Sequence, residues 1–495
     1  MNPALAIIAS TLVGVLLLGL HARQGVRMNL EQWSVGGRAF SGRLVFVLMA
    51  GELYTTFTFL GASGFAYGHG GPAFYVMAYS CLAFVLSYWL LPAIWRFARQ
   101  HGVLTQPEFF AKAYDSPLMG LLVCAVALLA LLPYLVLQFK GLGIIVELTS
   151  YGSLTSSSAI WIGALAMTAY VLLSGMHGSA STAVLKDVLI LAVCVFLGLY
   201  LPHHYDGGVA AMFRHIEQHR PGFLALPATG KSGAWFVSTV ALSALGMYLW
   251  PHAFTATFTA GNERSFRRNA MVMPLYALVM LFSMFAGLAA VLQVPALTGD
   301  QIDLALLRLA IQTFDPWIVG VIGAAGMLTA IVPGSIMLVS ASTLVARDLY
   351  RPCRPASSDA HLSMVSRGAT VLLMLAAVAW TLAGGASIVS LLLMGFGFVT
   401  QLAPALLAVL ARDRRVNRYG AFAGILVGVT FVAGSVVSGL TMQRLLPAAP
   451  EWVHDVNLGI VGLALNVLTT FIVSLLTRDR LRARMPPRVS PEPLR

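Results

Sequence analysis

Glu52 stands inside the run LVFVLMAGELYTTFTFLGASGFAYGHGG, in the company of Gly51, Thr55, Thr56, Thr58, Gly61, Ser63 and Gly64. Glycine loosens a helix and freed carbonyls can hold a cation, while a carboxylate at membrane depth is costly enough to imply a task. A close-packed helix with small residues at its interface, and Glu52 paired with a lysine, is the plainer account of the same residues. A second run, PWIVGVIGAAGMLTAIVPGSIMLVSASTLVARDLYRP, carries Pro333 and Gly334 near its middle, followed by Ser335, Ser340, Ser342 and Thr343. Proline deletes a helical hydrogen bond and frees carbonyls near Thr329 and Ala330; the serines either re-satisfy backbone or line a path. Trp250, Pro251 and His252 in GMYLWPHAFTATF again set a proline in an apolar run, and His252 could titrate near neutral pH or pack as a satisfied core residue. Gln138 and Lys140 lie in PYLVLQFKGLGIIV, where the ammonium either snorkels to an interface or meets a carboxylate in a cavity. Lys186 and Asp187 read as an interfacial pair, Asp187 also as a candidate for a cation exit route, and Gln401 is a further polar candidate for contact with a solute.

Elements that cross a membrane must position these residues. Of the 495 residues 58% are apolar and 10% charged, and the mean hydropathy is +0.81, which excludes an ordinary soluble globule. Thirteen apolar runs predict helices near 3–20, 44–67, 73–95, 118–146, 158–174, 183–201, 233–257, 269–292, 316–346, 368–383, 386–410, 419–440 and 457–476. The first run reads as a retained span rather than a cleaved signal. Alternate connections hold 24 lysines and arginines in one class against 5 in the other, which puts the amino terminus outside and the basic tail, 477–495, in the cytoplasm. The net charge of +12 therefore reports topology and contact with membrane lipid, not a nucleic-acid partner. Four cysteines without CxxC or Cys/His spacing give neither a disulfide framework nor a zinc site, and no hydrolase, zincin, Walker or dinucleotide motif points to an enzyme.

Seven motifs in order carry a likeness: EQWSVGGRAFSG (Glu31 to Gly42), GELYTTFTFLGASGFAYGHGGPAFY (Gly51 to Tyr75), LTQPEFFAKAY (Leu104 to Tyr114), PYLVLQFKGLG (Pro133 to Gly143), AVLKDVLILA (Ala183 to Ala192), WPHAFTATFTAGNERSFRRNA (Trp250 to Ala270) and PGSIMLVSASTLVARDLYRP (Pro333 to Pro352). Over about residues 30–440 the chain resembles the sodium/solute symporters, most closely their bacterial monocarboxylate permease branch. The resemblance implies an all-α membrane protein with a LeuT-like core of two five-helix inverted repeats, about 44–201 and 233–410. One span (within 1–43) would precede the core and two (within 411–476) would follow it. It implies symport of a small organic solute, a monocarboxylate by the nearest branch, coupled to sodium or protons in a bacterial cytoplasmic membrane, with no cofactor. Solute would sit near the midplane, met by Glu52, Thr55, Thr56, Gln138, Lys140, Trp250, His252 and Gln401. The family's sodium ligands fall on the carbonyls of Gly51 and Tyr54 and on a hydroxyl pair at about Val332 and Pro333, which have no hydroxyls. A small shift in register offers Ser335, and Glu52 could instead cycle a proton. A membrane sensor acting through a partner protein is the alternative, and it would need an output domain that the short tail does not supply.

Overall fold

The computed structural model describes residues 2–22, 46, 54–260, 262–411 and 415–478, except the side chains of residues 176, 177, 180, 181 and 259. Among the described residues the regular structure is helical, with no strand. The first span is α1 (Pro3–Ala22). The described part of the second begins with a bend at Tyr54 and Thr55, then a turn of π-helix (Phe57–Gly61) that runs into α2 (Ala62–His69). Next come α3 (Tyr75–His101), the short α4 (Gln106–Ala113) and α5 (Pro117–Thr149). The fifth and sixth spans, α6 (Ser156–Gly175) and α7 (Thr182–Asp206), run on almost without a loop. They part at Gly175, whose φ of 56° and ψ of −152° lie outside the helical region and favour glycine.

The second half continues with α8 (Gly233–Gly246), α9 (Pro251–Ala256), α10 (Arg264–Ala277) and α11 (Met280–Ala289). Then follow α12 (Ala305–Thr313), α13 (Pro316–Leu344), α14 (Asp359–Ala383), α15 (Ile388–Val399), α16 (Arg418–Ser438) and α17 (Leu458–Leu476). Among the described residues eleven helices are long and apolar enough to cross a bilayer, and a shorter apolar stretch, Gly233–Leu249, lies where the seventh span is expected. Twelve of the thirteen predicted runs thus have a counterpart, and the second, 44–67, is described at residue 46 and from residue 54 on. The tenth extends back from 368 to Asp359, because Ser358 caps it by accepting from the His361 amide.

Burial decides which helices are core and which face lipid. The most apolar stretch of the α13 span is 94% buried, against 22% for α1, so α13 is the central post, packed between α5 and the α6–α7 pair. Pro333 does not break it: the helix stays regular from Pro316 to Leu344, and only the Thr329 carbonyl loses its amide partner. The break falls instead at Trp250, which is extended (φ −58°, ψ 133°) just before Pro251. A proline ring disfavours helical backbone in the residue preceding it, so this interruption follows directly from the sequence.

Candidate transport site

Thr55, in the bend that begins the described part of the second span, and Trp250, at the break before Pro251, meet on a common cavity. Thr55 opens the helical half of the second span, its carbonyl accepting from the amides of Thr58 (3.0 Å) and Phe59 (3.1 Å). Thr55, Tyr79, Tyr134, Trp250, His252 and Phe396 line the cavity. Its walls are rings: Tyr134 and Trp250 lie 4.7 Å apart, Trp250 and Phe396 5.3 Å, and Tyr79 and Phe396 5.7 Å. The ladder continues through Tyr75, 5.8 Å from Tyr79, to Trp235, 5.3 Å beyond, where the Lys231 ammonium lies 5.6 Å from the ring centre. No Lys, Arg, Asp or Glu lines the cavity among the described residues. His252 is 4% exposed and its Nδ1 has no hydrogen-bond partner among the described residues, so a polar atom is held ready on an apolar wall.

The other sequence candidates separate into distinct places. The Thr56 hydroxyl donates to Gln138 Oε1 at 2.7 Å inside the core, which leaves Gln138 Nε2 buried and without a partner among the described residues. Lys140 points away from this cavity. Its ammonium lies 2.9 Å from Asp303 Oδ2 and 3.6 Å from Asp300 Oδ2, and donates to the Ala386 carbonyl at 2.8 Å. It thus ties α5 to the connection before α12 and to the start of α15. Asp303 Oδ2 also accepts from the Ile388 amide at 3.0 Å, and burial, only partly offset by Lys140, pushes the Asp303 carboxyl up to about 6. Gln401 belongs to a helix interface: its Nε2 donates to the carbonyls of Gly397 (3.0 Å) and Gly459 (3.1 Å), and Asn466 Nδ2 lies 3.3 Å from its Oε1.

The expected cation ligands are also resolved in part. Gly51 and Glu52 lie outside the described residues. The Tyr54 hydroxyl donates to the Tyr276 carbonyl at 2.9 Å, and the Tyr54 carbonyl accepts from Lys186 Nζ at 3.2 Å. Asp187 Oδ1 is 3.0 Å from the same ammonium. Lys186 is wholly buried, so the expected interfacial pair is in fact an interior one, because the lysine side chain reaches inward to the Tyr54 carbonyl. Ser335 faces Ser179, their hydroxyls 2.7 Å apart, and also donates to the Val332 carbonyl at 2.6 Å. Sequence reasoning did not single out Tyr79, Tyr134, Phe396 or Asp303. Tyr134 did leave a signal, as a polar-tipped ring beside Pro133 in a span.

The chain matches the model of the sodium:solute symporter family over residues 33–428. It belongs to that family. Among its relatives in the sodium:solute symporter family, the uncharacterized symporter YhjB of Bacillus subtilis is 55% identical over 97% of this chain and 98% of that protein. A monocarboxylate transport permease of Rhizobium johnstonii is 26% identical over 68% of each chain, and a sodium/proline symporter of Haemophilus influenzae 24% identical over 96% and 95%. A solved structure described as a sodium-coupled sialic acid symporter in a substrate-bound, outward-open state superposes with a TM-score of 0.79 at 17% identity, covering 96% of this chain and 98% of that one. That likeness establishes the LeuT-like fold. Members of the sodium:solute symporter family are membrane transporters rather than enzymes, and the chain is accordingly an integral membrane symporter of a small organic solute.

Proposed function

We propose that this symporter carries a small carboxylate, coupled to a cation, and binds it in the ring-walled cavity between the two breaks. The observation that carries the reading is the Nδ1 of His252 on that wall, which has no partner among the described residues and donates in the tautomer that carries its proton there. A carboxylate only accepts hydrogen bonds, and a donor fixed in a dry pocket holds it far better than the same donor in water. The names of two relatives support the choice, since a monocarboxylate and proline share this one group. Thr55 and Trp250 complete the contact set, with Thr56 and Gln138 beside it. Purified protein in liposomes should exchange labelled short-chain acids in counterflow and discriminate against their amides. His252→Phe, which keeps a ring but removes the donor, should raise the half-saturating concentration by about tenfold to a hundredfold. Equal exchange of acid and amide would overturn the reading, and no exchange of any solute would favour a sensor.

The same proposal places the repeats at about 44–201 and 233–410, with the amino terminus outside and the tail inside the cytoplasmic membrane. Its support is the 24 to 5 division of basic residues between alternate connections. A fluorescent protein fused after Arg495 should therefore fluoresce, and alkaline phosphatase at the same point should be inactive. The opposite pair of signals would mean that the spans are miscounted by one.

A further inference from the structure

We infer that the ammonium of Lys186 is the resident cation of the position at which the symporter family holds sodium, so that this position takes no sodium. Family membership and the sodium-coupled structural relative carry the opposite expectation, and the residues here do not fit it. A sodium ion stripped of water needs several oxygens, and two of the expected ones are missing, because Val332 and Pro333 have no hydroxyls. Ser335, the neighbouring hydroxyl that could replace them, is turned to Ser179 and to the Val332 carbonyl. The remaining described ligand, the Tyr54 carbonyl, already accepts from Lys186 Nζ at 3.2 Å.

The ammonium is itself built into the place. It is wholly buried, and a lysine is rarely so unless its charge is met. Here Asp187 Oδ1 meets it at 3.0 Å and the broken segment offers a carbonyl, so one positive charge is balanced and hydrogen-bonded with no ion added. A sodium ion bound to the same carbonyl would stand within about 4 Å of Nζ, and that repulsion weakens binding by roughly a thousandfold at an effective dielectric near 20. Lys186 thus joins α7 to the break in the second span as a bound cation would, but through a covalent tether.

Ion binding can be measured on purified protein without any solute, so its outcome is separate from the carboxylate reading on which the idea of a coupling site rests. Radioactive sodium binding and heat stability in sodium against choline chloride are the two readouts. The wild-type protein should show no saturable sodium binding at millimolar concentrations and the same melting temperature in both salts. Lys186→Ala combined with Val332→Ser and Pro333→Thr frees the Tyr54 carbonyl and restores two hydroxyls, and Asp187 then adds a carboxylate. This variant should gain saturable sodium binding at least a hundredfold tighter than wild type, and a melting temperature raised by sodium. Saturable millimolar binding by the wild type, with sodium raising its melting temperature, would overturn the inference even if the triple variant failed to fold. So would a folded triple variant that binds sodium no better than wild type.

Discussion

Replacing Lys140 by methionine lowers the stability of the protein by about 3 to 5 kcal/mol, and adding Asp303→Asn restores most of the loss. The reason lies in what the single change leaves behind. The Asp303 side chain is fully buried, and its charge is met by Lys140 at 2.9 Å and the Ile388 amide at 3.0 Å. Without the ammonium a buried carboxylate keeps only the amide, whereas the double variant holds an uncharged amide beside an uncharged thioether. The pH dependence has a definite sign. Burial raises the Asp303 carboxyl to about 6, above its unfolded value near 3.9, so the native state holds this proton more tightly than the unfolded chain. Its contribution is therefore complete below about pH 4 and is lost as pH rises through about 6. Lys140→Met removes a downward pull on that carboxyl, so heat unfolding should separate the variant from wild type more at pH 8 than at pH 5, and Asp303→Asn should remove the difference. Equal melting temperatures for wild type and Lys140→Met across that range would mean that the ion pair does not hold the fold.

Gly287→Ala should destabilise by about 3 kcal/mol, the upper end for forcing a methyl into a filled core. On α11, Gly287 lies so close to α2 that a methyl would overlap the Ser63 carbonyl, which is backbone and cannot swing aside. One turn earlier Ser283 donates to the Thr58 carbonyl at 2.7 Å, so the two segments are also pinned one turn from the clash. Relief must come from moving α11 as a body, which breaks that bond and opens the packing of the broken segment. Gly434→Ala, on the same kind of helix but with open space where the methyl would go, is the matched control and should be within about 0.5 kcal/mol of wild type. A Gly287→Ala protein that melts with the control would show that the contact yields.

Much of the fold was legible because a bilayer enforces long apolar runs, and Pro251 announced its break through the residue before it. Pro333 misled in one respect, since neighbouring helices hold α13 straight and the lost hydrogen bond costs it one carbonyl, not its course. Trp250, His252 and Thr55 stood out as polar or bulky residues beside helix breakers. Tyr79 and Phe396 could not, because an aromatic residue in an apolar helix looks the same whether it meets a cavity or a neighbour. Lys140 and Lys186 show the limit most clearly. Each is a lysine in or at the edge of a span, and the sequence offers snorkelling or a cavity for the first and an interfacial pair with Asp187 for the second. Only the fold brings Asp303 to the first and the Tyr54 carbonyl to the second. Gln401 is the same case, its amide used up by Gly397, Gly459 and Asn466 at a helix seam.

Equilibrium binding of a labelled short-chain acid to purified protein distinguishes the cavity from the lysine that the sequence placed there. The Lys140→Met/Asp303→Asn pair should bind within about twofold of wild type, because neither residue lines the cavity, and His252→Phe should bind about tenfold to a hundredfold more weakly. Unchanged affinity in His252→Phe together with loss in the double variant would place the solute at Lys140 and contradict the site described above.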